Sequence, residues 1–406
     1  MTSVNRTVAM CLAIVTVGQL PAFLTGASAV QMRAELGFSV TLLGLAISGF
    51  FVASAATSAI AGHIVERVGW PTGLRLGTAI TVGSLAGIAL LADTWLLLAG
   101  FLALAGLGNA LSQPASNLAL VRVVPPKRYG LVFGVKQSAI LIATLLGGVS
   151  VPLVALTIGW RWTYVFAAIV GGLAAAGTFT LRDSERAIPE IDSPDVQTPA
   201  AGEASTPVTV SRPPPSALPA RALRALILVA TVGFGSAMVG NAFGAFLVSS
   251  AVEDGMLPGR AGMLLAVSSL LGLAVRIGIG WLADQRPIQP LRAMAVLLFL
   301  GSVGCLLLAF DPRFVIVGAM LAVGAGWGWP GLYNLAVVRA YPRAAAAATG
   351  VSQTGIYLGA AIGPILLGVV ADTVGFRGLW LATTAIALAS GIMALTGQRL
   401  LARQPS

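Results

Sequence analysis

About a dozen apolar runs of roughly 20 residues divide this chain, and that spacing decides what it can become. A helix needs about 20 residues to cross the hydrocarbon core of a bilayer. The runs fall at 8–30, 39–62, 73–91, 95–118, 130–153, 161–181, 223–250, 261–283, 291–310, 313–336, 348–371 and 376–397. Only 9% of the residues are charged, against about 25% in a soluble domain. A water-soluble core cannot hide so much apolar surface. No ten-residue alternation appears, which argues against a transmembrane β-barrel. The first run is too long for a signal-peptide core and ends at no clear cleavage site, so it reads as the first span.

The net charge of +10 suggests nucleic acid until its placement is read. With twelve spans, seventeen of the 24 Lys and Arg fall on the side of the N-terminus. Five fall on the other side: Arg33, Arg161, Arg260, Arg313 and Arg377. That asymmetry is the positive-inside pattern, and it predicts cytoplasmic N- and C-termini in a multi-pass protein of the inner or plasma membrane. The basic surplus then meets anionic headgroups, and no nucleic-acid partner is expected. Cys11 and Cys305 lie inside apolar runs and read as small buried hydrophobes.

One connection is long. The stretch 182–221 is rich in proline and polar residues, and reads as a flexible cytoplasmic linker. It divides the chain into an N-terminal bundle of six spans (1–181) and a C-terminal bundle of six (222–406). The halves repeat. Gly44, Gly62 and Glu66 correspond to Gly262, Gly280 and Asp284 at an offset of 218. Gly134-Val-Lys-Gln corresponds to Gly350-Val-Ser-Gln at 216, as does Gly159 to Gly375. Asn117 to Arg122 corresponds to Asn334 to Arg339 at 217. Parallel repeats of this kind place a binding site between the halves near the bilayer midplane.

The loop after the second span, Gly62-His-Ile-Val-Glu66-Arg67-Val-Gly69, is similar to the G-x-x-x-D-R-x-G signature of the major facilitator superfamily, with Glu in place of Asp. Its second copy is Gly280-Trp-Leu-Ala-Asp284-Gln-Arg286. The whole chain resembles that superfamily. The resemblance implies an all-α membrane transporter of twelve helices in two pseudo-symmetric bundles, working by alternating access. The repeat of this loop points to a gating role for Gly62, Glu66, Arg67, Gly280, Asp284 and Arg286, with ordinary solvated loop charge as the competing explanation.

All fourteen Asp and Glu fall in loops, the linker or span ends. A proton-coupled exporter commonly carries a mid-span carboxylate, so proton-driven drug efflux is disfavoured. Two cations do lie inside spans: Lys136 in the fifth and Arg276 in the eighth. Both are about 12 Å from the cytoplasmic end, and buried charge in a span marks a functional candidate. Two cations at one depth without an internal acid call for a bound anion, and arginine's planar fork suits a carboxylate. The bland alternatives are snorkelling for Lys136 and helix-end carbonyls for Arg276. Arg276, Gly280 and Asp284 also resemble the eighth-helix pattern of the monocarboxylate and oxalate–formate branch, which implies carboxylate binding by Arg276.

Further polar and aromatic groups can complete a cavity: Gln19, Asn109, Asn241, Trp327, Tyr333, Gln353 and Tyr357. Packing is the competing explanation for each. Trp327 and Trp329 point about 200° apart, so only one can face a cavity. The expected function is transport of a small organic anion such as a monocarboxylate, by a monomer, with a proton or counter-anion as the open choice of coupling partner. Efflux of a drug or neutral metabolite is the alternative, and a transporter-like receptor ranks below it. Neither an enzyme nor a cofactor is expected, since no nucleophile–base pair or metal cluster is present.

Overall fold

The computed structural model describes residues 3–125, 129–179, 220–286, 288–341 and 345–402. The expected linker at 182–221 lies outside the described residues, except for Ala220 and Arg221 at the start of the seventh span. All described secondary structure is helical. Ten described stretches are long and apolar enough to cross a membrane. The tenth, Gly350–Leu401, turns back at Gly375, where φ is 81°. It therefore holds spans 11 and 12. The helix Trp160–Thr178 supplies span 6. The twelve expected spans are thus present.

Span 1 is Ser3–Ala27, span 2 Val40–Val68, span 3 Trp70–Leu91 and span 4 Trp95–Val123. Span 5 is made of Tyr129–Gln137 and Ala139–Ser150, followed by a π-helical turn. Spans 7, 8 and 9 are Ala220–Glu253, Pro258–Gln285 and Pro290–Phe310. Span 10 is broken: a π stretch, Met320–Ala325, gives way to a non-helical link before Pro330–Ala340. Proline supplies no N–H and cannot continue the preceding helix, which is why the break sits there.

Local chemistry starts and ends these helices. Ser39 and Thr94 accept from Leu42 N and Leu97 N, capping spans 2 and 4. Thr25, Thr78, Thr81 and Thr144 bond back to carbonyls four residues earlier, so their hydroxyls are satisfied within an apolar span. Gly159 and Gly375 hold φ of 105° and 81° in equivalent turns, a conformation a side chain resists. Gly37 and Gly255 form a second such pair, 218 residues apart. The repeat read from residue identity is therefore present in the backbone.

The halves meet through matched contacts at the ends remote from the N-terminus. A Cβ on Gly44 of span 2 would lie 2.1 Å from Pro364 O of span 11. A Cβ on Gly148 of span 5 would lie 2.5 Å from Gly262 O of span 8. These two contacts are repeat equivalents of each other. Between them, Gly26 of span 1 meets Gly244 of span 7, itself 218 residues on, so closely that a Cβ on Gly26 would lie 2.0 Å from Gly244 O. The face carrying the N-terminus is different. A Cβ on Gly62, Gly134, Gly280 or Gly350 would meet nothing within 4 Å. The structure is sealed at the far face and parted at the N-terminal face.

Candidate functional site

Arg276 leaves span 8 at mid-depth and is 5% exposed. Its Nη1 donates to Gln137 O at 2.7 Å and its Nη2 to Trp327 O at 2.6 Å. Gln137 ends the first piece of span 5, and Trp327 lies in the break of span 10. The guanidinium thus joins an interruption in one half to a break in the other. Its Nε has no partner. Of the two readings offered by the sequence, a bound anion or helix-end carbonyls, the chain itself supplies carbonyls. Its partners are main-chain carbonyls, which solvate the charge through their dipoles without neutralising it.

Lys136, also 5% exposed, turns within its own half and donates to Asn117 Oδ1 of span 4 at 2.5 Å. Asn117 is exposed where the halves part. Asn334, the repeat equivalent of Asn117, also accepts from the facing span, from Gln353 Nε2 at 3.3 Å, one residue past the equivalent of Lys136. Each buried cation thus has an oxygen partner of its own, and the two do not converge on a shared one. Among the described residues, the ion pairs of Arg161 with Glu35 and Asp93 are far from both.

A second polar group forms between spans 1, 2 and 4. Gln19 Nε2 donates to Asn109 Oδ1 at 3.2 Å, and Gln113 Nε2 to the same oxygen at 3.4 Å. Asn109 Nδ2 donates to Ser54 Oγ at 2.8 Å. Gln19 Oε1 is buried without a partner. Asn241 is half-buried and returns its amide to Ala237 O at 2.9 Å. Tyr357 is half-buried on span 11, one turn after Gln353.

Trp327 is 3% exposed and packs under the crossing of spans 1 and 7. Its ring lies 5.7 Å from Phe23 and 6.3 Å from Phe243. Gly240 and Gly244 make room for it, since a Cβ on Gly240 would stand 2.4 Å from the indole Nε1. Trp329 turns the other way, stacking edge-on to Tyr333 at 5.7 Å inside the C-terminal half. Tyr333 is 0% exposed, and its hydroxyl donates to Val229 O and Ser352 O at 3.0 and 3.2 Å. That places Tyr333 in the packing of one bundle and away from the seam.

Of the expected gating residues, Glu66, Arg67 and Arg286 are exposed. Gly62 and Gly280 are open, and the side chain of Asp284 lies outside the described residues. Among the described residues, no hydrogen bond or ion pair joins Glu66, Arg67 and Arg286. The closure the structure does contain involves residues the sequence reading passed over. Asp372, after span 11, accepts from Val40 N at 3.1 Å and Thr41 N at 2.6 Å, capping span 2 of the other half. Ser48 Oγ accepts from Ile365 N at 3.1 Å on the same seam. A carboxylate at a helix N-terminus meets free amides and the positive end of the dipole. One signal was available: position 156, the repeat equivalent of Asp372, is leucine, so this acid serves one seam only.

The sequence matches the Major Facilitator Superfamily over residues 10–355. An uncharacterized MFS-type transporter, YttB of Bacillus subtilis (strain 168), is 27% identical over 149 residues, a match spanning 36% of this chain and 36% of that protein. Solved structures share the fold at low identity. A bacterial homolog of the human lysosomal transporter Spinster, inward-facing and unoccupied, matches at TM-score 0.72 and 15% identity over 100% of both chains. A D-xylose–proton symporter matches at 0.73 and 15%, over 96% of each chain. A point mutant of the nucleoside transporter NupG matches at 0.69 and 13%, over 96% of this chain and 99% of that one.

Proposed function

We propose, for a chain that belongs to the Major Facilitator Superfamily, that it moves a small organic anion between its two halves by alternating access. The chain is a transporter of that superfamily; the substrate class is the part proposed. The carrying observation is Arg276, a guanidinium 5% exposed at mid-depth between the halves, with no carboxylate partner among the described residues. Carbonyl dipoles leave its positive charge in place, and its Nε–H is without an acceptor. A carboxylate supplies both the missing charge and the missing acceptor. Bonds to an ionised acceptor are roughly twice as strong as those between neutral groups.

Lys136 adds a second positive charge one residue from Gln137, whose carbonyl Arg276 holds. Gln19, Asn109, Asn241, Gln353 and Tyr357 are proposed to contact the uncharged part of the substrate, with Trp327 above it. The positive-inside pattern orients the parted face to the cytoplasm, so the described state is the one open to the cytoplasm. Glu66, Arg67, Asp284 and Arg286 would then meet in the opposite state, when that face closes.

A neutral polar solute is the second reading. The amide cluster of Gln19, Asn109 and Gln113 favours it, because it offers a free acceptor and carries no charge. Two fold neighbours act on such solutes, a D-xylose–proton symporter and a nucleoside transporter.

Uptake into proteoliposomes of a labelled panel, anions beside sugars and nucleosides, separates these. Saturable anion uptake is expected, reduced at least tenfold by Arg276→Gln, about the effect of losing one charge-assisted bond. If Arg276→Gln and Lys136→Gln both transport every anion as the unaltered chain does, the anion reading is wrong.

A further inference from the structure

Two features of Trp327 meet in one residue. Its carbonyl is held by Arg276, and its indole fills the space beneath the crossing of spans 1 and 7. That crossing is where Gly26 and Gly244 touch backbone to backbone, on the sealed side of the molecule. The residue lies in the non-helical link between the π stretch of span 10 and the helix that restarts at Pro330. Within the link the N–H groups of Gly326, Trp327 and Gly328 bond back to Leu321 O, Val323 O and Ala325 O, while the carbonyl of Trp327 is held by Arg276 from another helix.

The repeat sharpens the point. The equivalent of the span 10 break lies in span 4, where the helix Trp95–Val123 runs on through it. The equivalent of the Ser138 interruption lies in span 11, which is also continuous there. Neither break is required by the twelve-helix architecture, since the other half does without it. Both carbonyls bound by Arg276 come from residues beside these breaks.

We propose that Arg276 controls the outer seal through Trp327: the guanidinium fixes the span 10 link by its carbonyl, and the indole of the same residue wedges the crossing of spans 1 and 7 shut. Trp327 is a positioning residue in this device. The guanidinium is one rigid plane, and two of its five N–H donors are engaged by carbonyls. Turning its free Nε edge toward a carboxylate moves the edge that holds Trp327. Occupancy of the site therefore loosens the wedge. That last step rests on the anion reading above; the tie between Arg276 and Trp327 does not.

The test reads the outer seam in the empty protein. Ser249 is 4% exposed and lines the outer cleft with Arg33 and Glu253, so Ser249→Cys is shielded while the seal is closed. Cys11 and Cys305, both 0% exposed, report any general unfolding by reacting themselves. Arg276→Gln and Trp327→Phe are each expected to raise the reactivity of that cysteine toward a membrane-impermeant thiol reagent by about tenfold. The double variant is expected to add nothing beyond either single one, because the two act in series. Arg276→Lys keeps the charge and loses the plane, and is expected to behave like Arg276→Gln. Unchanged reactivity in Arg276→Gln, or multiplicative effects in the double variant, overturns the tie.

Acetate, lactate and succinate serve as probes in a second arm. A probe that raises the reactivity with Arg276 present, and not in Arg276→Gln, supports release by an anion. If no probe does so while the double variant stays non-additive, release by an anion is overturned and the tie stands, and the anion reading itself is judged by the uptake panel.

Discussion

Replacing Asp372 by alanine should unseal the outer face. The carboxylate accepts two main-chain N–H bonds, from Val40 and Thr41, at the first turn of span 2 in the opposite half. A bond to a charged acceptor contributes about 1.5–3 kcal/mol when shielded. Asp372 is exposed, so water replaces much of each bond and the lower figure for a helix cap, about 1 kcal/mol, applies. That energy is present only while the halves touch there, so it acts on the equilibrium between sealed and open states. A loss of about 1 kcal/mol shifts that equilibrium about fivefold. Spin labels at Leu96→Cys and Leu257→Cys, exposed positions on the outer side of the two halves, would report the separation. Asp372→Ala should increase the long-distance population about fivefold, and Asp372→Asn, which keeps one acceptor, by less. Partial burial pushes the Asp372 carboxyl up, but donors from Thr41, Ser39 and Val40 outweigh it and hold the group below the ordinary carboxylate range. A lowered value means the bond is intact above the ordinary carboxylate pKa and is lost as pH falls through the depressed one. The unaltered protein should therefore loosen only in acid, and Asp372→Ala should show no such step. An Asp372→Ala distance distribution identical to the parent's at neutral pH would refute the reasoning.

Gly44→Leu should force the same face apart more strongly, because even its Cβ would stand 2.1 Å from Pro364 O; the same labels should show the open population dominating. Tyr333→Phe should lower the melting temperature by removing the donor to Val229 O and Ser352 O, at a cost of about 1–3 kcal/mol for leaving buried acceptors unpaired. It should leave the apparent substrate affinity unchanged, since Tyr333 lies within one bundle; a selective rise in KM would put it back at the site. Arg161→Met should loosen the outer end of the N-terminal bundle, where Arg161 bonds Glu35, Asp93 and Ala92 O. Hydrogen exchange should rise at the Ala92–Asp93 turn, with little change at the outer ends of the C-terminal bundle.

The architecture was legible because membrane spans announce themselves by length and apolarity, and because a repeat of half the chain leaves paired residues. The offset of 218 that links Gly44 to Gly262 also links Gly26 to Gly244, which turn out to touch. Mid-depth charge was legible too, and Arg276 does lie between the halves. Its partners were not legible. A count of side-chain acids cannot see a carbonyl, and the carbonyls of Gln137 and Trp327 become reachable only once two helices have broken. Asp372 was hidden for a related reason: it acts on amides 331 and 332 residues away in sequence, which no local pattern records. The pairing of Lys136 with Arg276 on one anion was inferred from equal depth and the lack of an internal acid. Depth gives one coordinate, and the direction in which Lys136 leaves its helix, toward Asn117, was the other.

The contact of Gly26 with Gly244 joins repeat-equivalent positions, and a point where equivalents meet lies on the axis that relates the two halves. That axis runs along the membrane normal, so a contact lying on it at the sealed end is shared equally by both halves and parts when they rock. Bare backbone suits such a joint, because the two chains come apart with no side chains to disentangle. The bonds that help to hold it shut lie off the axis, where Asp372 meets the first turn of span 2.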